Sequence, residues 1–143
     1  MTTDPWPHAP VPGTEGSGKQ WQVSSPAQLH HLRSDLRAHL RSCDCDRDEE
    51  DPLSERILMV VDELTSNGLR HGFPPVTLRV VATIDSWLVV ITDLCTGRYP
   101  QLAVGRDRAL GGMGLQLVAD LTSARGWTVT DGDKRVWALV PAA

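Results

Sequence analysis

The sequence predicts an α+β protein, a two-layer sandwich with a mixed β-sheet and its helices on one face. Three observations lead there. Two long segments repeat apolar residues at helical spacing, two stretches rich in β-branched residues are split by turn formers, and a glycine run opens into a third apolar helix.

The elements follow in chain order. Residues 1–20 carry Pro5, Pro7, Pro10, Pro12 and several glycines without an apolar period, which predicts a flexible N-terminal arm ahead of one domain over residues 21–143. Trp21 and Val23 start a short strand. Ser25, Pro26 and Gln28 then read as N-cap, first turn and capping-box partner of a helix whose buried stripe is Leu29, Leu32, Leu36 and Leu40. Residues 42–51 are dense in charge and read as a linking loop. At Asp51-Pro52 a second helix begins, since the carboxylate can cap free amides and proline suits a first turn. Ile57, Val61, Leu64 and Gly68 mark its core side, and Phe73-Pro74-Pro75 ends it. Residues 76–92 predict a hairpin broken at Asp85-Ser86. A third helix starts near Met113, and residues 127–140 predict a second hairpin turning at Asp131-Gly132-Asp133. The five tryptophans fall mostly on these strands, where core packing is the expected role.

With 143 residues the chain supports one hydrophobic core. An apolar fraction of 41% and a net charge of -4 describe an ordinary globular protein and speak against direct binding of nucleic acid through bulk positive charge. No apolar run reaches membrane-span length, and residues 1–18 lack the basic start and apolar middle of a signal peptide, so a cytoplasmic protein with no membrane contact is expected. Three cysteines in a reducing compartment predict no structural disulfide. Cys43 and Cys45, even with His30 and His31, lack a second ligand pair at metal-site spacing, and zinc is not expected.

Three segments carry chemistry. Glu63, Asn67 and His71 stand four apart on the second helix, so each advances about 6 Å along the axis while drifting only about 40° around it. They form one polar stripe beside the apolar row. Asp93 closes the strand Trp87-Leu88-Val89-Val90-Ile91; it can serve as a turn former or accept a hydrogen bond from the amino group of a base. Gly111-Gly112-Met113-Gly114 runs into Leu115, so glycines that admit a close approach adjoin the free amides of a helix start, a plausible phosphate cradle.

In this order, residues 63–72, then Asp93, then Gly112-Met113-Gly114-Leu115, the sequence resembles the N, G1 and G2 boxes of the GHKL (histidine-kinase-like) ATPases. Within them it is most similar to the bacterial anti-sigma-factor serine/threonine kinases and the ATP-binding regulators of actinobacteria. The resemblance runs from about Trp21 to Pro141 and is most specific in the N box. It implies a Bergerat-type ATP-binding fold that takes ATP and magnesium. Asn67 would hold Mg, Glu63 would be the catalytic general base, and Asp93 would receive the adenine amino group. Gly97 belongs to the G1 segment, and Gly112, Met113, Gly114 and Leu115 would admit the triphosphate. Residues 99–110 would form a lid, with Arg98, Arg106 and Arg108 available to phosphate or simply exposed. Contact with the terminal carbonyls is sufficient to explain His71.

The expected activity is phosphorylation of an antagonist protein, with capture of a sigma factor and a possible homodimer. The alternatives are a nucleotide-dependent partner-binding module without phosphotransfer, and a histidine-kinase-like ATPase domain, the latter weakened by the short span from His31 to Glu63. The chain departs from the pattern at Cys95, where relatives favour a small residue, and at Lys134-Arg135, where they commonly carry a threonine near the base.

Overall fold

A computed structural model describes residues 6–13, 18–43, 51–94 and 113–142. The chain runs β1 (Gly18–Val23), a 3-10 turn (Pro26–Gln28), α1 (Leu29–Cys43), α2 (Pro52–His71), β2 (Val76–Ala82), β3 (Ser86–Asp93), α3 (Met113–Leu121), β4 (Ala124–Thr130) and β5 (Asp133–Pro141). One five-stranded sheet has the order β1-β2-β3-β5-β4.

The expected mixed sheet is antiparallel at all four strand pairings, because β2 with β3 and β4 with β5 are hairpins and β3 meets β5 head to tail. A parallel component survives as an isolated bridge between His8 and Trp127. The α+β layering stands as expected. The β4–β5 turn places Asp131 at φ 53 and Gly132 at φ 83, the two positive angles of a tight hairpin turn. At the β2–β3 turn, Thr83 Oγ1 accepts from the Ser86 amide at 3.0 Å and replaces a missing ladder bond.

Both helix starts follow from local chemistry. Gln28 Oε1 accepts from the amides of Ser24 and Ser25, at 2.6 and 3.3 Å, and the Asp51 carboxylate accepts from the Ser54 amide at 3.0 Å. The leucine stripe of α1 and nine positions of α2 are buried. Arg33 to Asp62 (2.7 Å) and Arg37 to Glu55 (2.9 Å) join the exposed flanks of α1 and α2. Period-two alternation in the sheet puts Leu78, Val80, Val89, Ile91, Val136 and Ala138 beneath the helices. His39 of α1 lies edge-on to the rings of Trp21 and Trp87, with Cys43 Sγ 3.8 Å from its Nε2. Burial, aided by the charge of Lys19, holds its pKa below the ordinary imidazole value.

The arm departs from expectation. Residues 18–20 already belong to β1, where the absence of a side chain at Gly18 is required because a Cβ would come within 2.5 Å of Val81. Residues 6–13 lie on the protein. The Ala9 amide donates to the Trp127 carbonyl (2.9 Å) and the Trp127 amide to the Pro7 carbonyl (3.0 Å), which seals the β4 edge. On one side of that edge Trp6 is fully buried in the main core; on the other, Ala9 and Val11 cover Val81, Leu88, Val90 and Trp137. Trp137 Nε1 also donates to the Ala9 carbonyl at 3.0 Å. Prolines remove periodicity from a sequence but still permit extended backbone against an edge, and the buried indole supplies the apolar area that the rest of the arm lacks.

Candidate functional site

The polar stripe of α2 forms as its spacing predicts. Glu63, Asn67 and His71 are each half-buried, beside the fully buried Leu64, Thr65 and Gly68. Glu63 also borders a cleft of about 440 Å³ between α2 and the start of α1, lined by Pro26, Leu29, Ser66, Leu69 and Arg70. A carboxylate there has access to a group entering from solvent. Asn67 stands one turn further along, so amide and carboxylate oxygens share one face.

The C-terminal end of α2 meets the end of β3. The Gly72 amide closes the helix on the Gly68 carbonyl (2.8 Å), and the Leu94 amide donates to the Phe73 carbonyl (3.1 Å), which ties the loop after α2 to the strand end. Asp93 lies against Gly72: a Cβ on that glycine would fall 2.6 Å from the Asp93 Cγ and 2.5 Å from the Gly68 carbonyl oxygen. The missing side chain is a steric condition for the carboxylate. Gly68 performs a milder version of the same task, with Ile91 Cγ2 3.1 Å from the position of a Cβ.

One residue of the Lys134-Arg135 pair completes this corner. Lys134 is directly opposite Asp93 in the β3–β5 register, and its Nζ stands 3.4 Å from Asp93 Oδ2 with both side chains at most 5% exposed. Arg135, considered for the same corner, alternates to the other face, opposite Thr92 and Thr128. A signal existed in the alternation Lys134, Val136, Ala138, Val140, which assigns Lys134 to the helix-covered face; what it lacked was the strand pairing. Thr65 Oγ1 is a further buried polar atom, with no hydrogen-bond partner among the described residues.

Met113 opens α3, and Gly114 and Leu115 follow in its first turn, with only their backbone described. Gly97, Arg106, Arg108 and Gly112 lie outside the described residues, as do Cys95, Arg98, Gly111 and the stretch read as a lid. Among the described residues no three His, Cys, Asp or Glu side chains converge on a metal position, and no helix is long and apolar enough to cross a membrane.

The residues present fit a nucleotide with a magnesium ion. Asn67 offers a hard oxygen donor at a half-exposed position, which suits an ion that keeps several waters and uses few protein ligands, and leaves the Glu63 carboxylate to act as a base. Asp93, held in a glycine-lined corner, offers an acceptor to a base. When bound, ATP would supply the phosphoryl group and magnesium the charge neutralisation.

Comparison with known proteins agrees with this geometry. No protein of curated function matches the chain. A family model described as the histidine kinase-like ATPase domain matches residues 23–138, from the last residue of β1 to within β5. With its sheet, its α2 stripe and its strand-terminal carboxylate in that order, the chain belongs to the histidine kinase-like ATPase domain family.

Proposed function

We propose that the protein is an ATP-binding regulator that uses magnesium-ATP to phosphorylate a serine or threonine of a partner protein, in the manner of an anti-sigma-factor kinase. The observation that carries this reading is Glu63, half-buried on the same α2 face as Asn67 and open to the cleft between α2 and the start of α1. Asn67 would hold magnesium across the phosphates, while Glu63 would take the proton of the attacking hydroxyl. Family membership supports the nucleotide; the kinase step rests on the retained carboxylate. Partners under this reading are an antagonist protein that receives phosphate and a sigma factor that is held.

Incubation with labelled ATP, magnesium and candidate antagonists tests it. Transfer to a hydroxyl is expected, and Glu63→Gln should lower it by about a hundredfold or more while nucleotide affinity stays within about threefold. Asn67→Ala should instead remove the magnesium dependence of binding. Nucleotide binding without transfer to any antagonist would make the protein a nucleotide-dependent binding module. No thermal shift at saturating ATP and magnesium would overturn the nucleotide reading itself.

A further inference from the structure

We propose that the cleft beside Glu63 seats the acceptor segment of the phosphorylated partner as an extended peptide, and that Arg70 is a specificity-determining residue that selects an acidic side chain near, but not next to, the acceptor hydroxyl. This rests on the kinase reading above and specifies the substrate class of that same site.

Helix geometry separates the two sides of Glu63. At about 100° per residue, Asn67 falls about 40° to one side of Glu63 around the α2 axis and Ser66 about 60° to the other, with Arg70 almost in line with Glu63 about two turns on. The cleft of about 440 Å³ is lined by Glu63, Ser66, Leu69 and Arg70 from α2 and by Pro26 and Leu29 from the start of α1, and Asn67 stands outside that lining. Glu63 therefore borders two spaces, the magnesium candidate on one side and the cleft on the other. A hydroxyl that enters by the cleft meets the carboxylate from the side opposite the phosphates. Its oxygen would bond to the γ-phosphorus, the bond from that phosphorus to ADP would break, and the proton would pass to Glu63.

The lining sets what else the segment must carry. The volume lies in the range of sites that enclose small ligands, which suits a few residues of chain rather than a flat folded face. Pro26, Leu29 and Leu69 give cover to an apolar side chain, and the Ser66 hydroxyl can donate to or accept from a peptide backbone. Arg33 and Arg37 are engaged by Asp62 and Glu55, whereas neither Glu63 nor Arg70 has an ion-pair partner among the described residues. Arg70 stands about 10 Å from Glu63 along the helix axis, a span of about three residues of extended chain. An acidic residue next to the hydroxyl would be repelled by the Glu63 carboxylate, while one about three positions away would meet the Arg70 guanidinium, where a basic residue would be repelled.

Binding of fluorescent peptides to the full chain with magnesium and ADP present, read by anisotropy, is the test. Each peptide carries one serine, a leucine two positions away and, three positions away, either aspartate or lysine; both versions are made in each chain direction. In one direction the aspartate peptide should bind at least about tenfold more tightly than the lysine peptide, and Arg70→Glu should reverse that order. Arg70 is exposed, so the substitution leaves the core intact. Equal affinities, failure of every peptide to bind at about 1 mM, or a preference that Arg70→Glu leaves unchanged overturns the proposal. Because the first comparison uses the unmodified chain, it stands even where the variant fails to fold. Calorimetry with ATP and labelled transfer to candidate antagonists, on the same preparation, separate the two levels. Nucleotide binding and transfer to an antagonist without discrimination between peptides overturn this proposal alone, whereas absence of nucleotide binding overturns it together with the reading beneath it.

Discussion

At Gly72 a single hydrogen in place of a side chain decides where Asp93 can be. The Cβ of Gly72→Ala would overlap the Asp93 carboxylate and the Gly68 carbonyl together, and neither is the flexible end of a long chain. The substitution is expected to lower stability by about 1–3 kcal/mol through overpacking and to weaken ATP binding by roughly tenfold or more, read by chemical denaturation and calorimetry. Unchanged affinity would remove Asp93 from the nucleotide site. The placement of Glu63 and Asn67 on one helix face and of Asp93 at a strand end was legible in the sequence, because a helical period and a strand end are local properties. The Asp93–Lys134 pair was not legible, since it arises from the pairing of two strands separated by α3. Arg135 and Lys134 looked equivalent in the chain, and only strand register sends them to opposite faces.

Among the elements, α1, α2 and the two hairpins could be read because leucine stripes, proline starts and turn residues all act within a few positions. The arm could not. Its one strong determinant, Trp6, has no apolar neighbours in sequence and gains its burial from residues far along the chain. Yet β3 held an indirect clue: Trp87 to Ile91 is apolar without alternation, and such a strand requires cover on both faces. Helices supply one cover and the arm the other. Trp6→Ala is therefore expected to destabilise the protein by about 3–5 kcal/mol in denaturant unfolding, as for a large core aromatic; an effect below about 1 kcal/mol would mean that the arm is not docked in solution. On α1, the lowered pKa of His39 means that the unfolded chain binds a proton that the native site resists. Stability from this residue is present at neutral pH and declines as pH falls below about 6.5, the ordinary imidazole value. Replacement of His39 by glutamine should flatten that part of the stability–pH profile, measured as melting temperature between about pH 5 and 8.

For the whole molecule, the matched family span begins at residue 23, and the strap of residues 6–13 lies before it. The strap shields the β4 edge and the outer patch of Val81, Leu88, Val90 and Trp137. A variant lacking residues 1–13 exposes both an unpaired edge and an apolar surface. It should elute as a concentration-dependent oligomer in size-exclusion chromatography, whereas the full chain should not change its oligomeric state through this edge. Identical elution of the two proteins would show that the edge is protected by other means.

The bond from Trp137 Nε1 to the Ala9 carbonyl joins positions 128 residues apart, and it has a bearing on timing during synthesis. Ala9 leaves the ribosome early, yet the surface it docks against does not exist until the β4–β5 hairpin has followed. Contacts of such separation carry a large loop-closure entropy and form late. The docking of Ala9 is thus a clock for completion of the fold: its amide and carbonyl find their partners, Trp127 and Trp137, only in the last hairpin, so these bonds mark the moment at which a nascent chain becomes a finished domain.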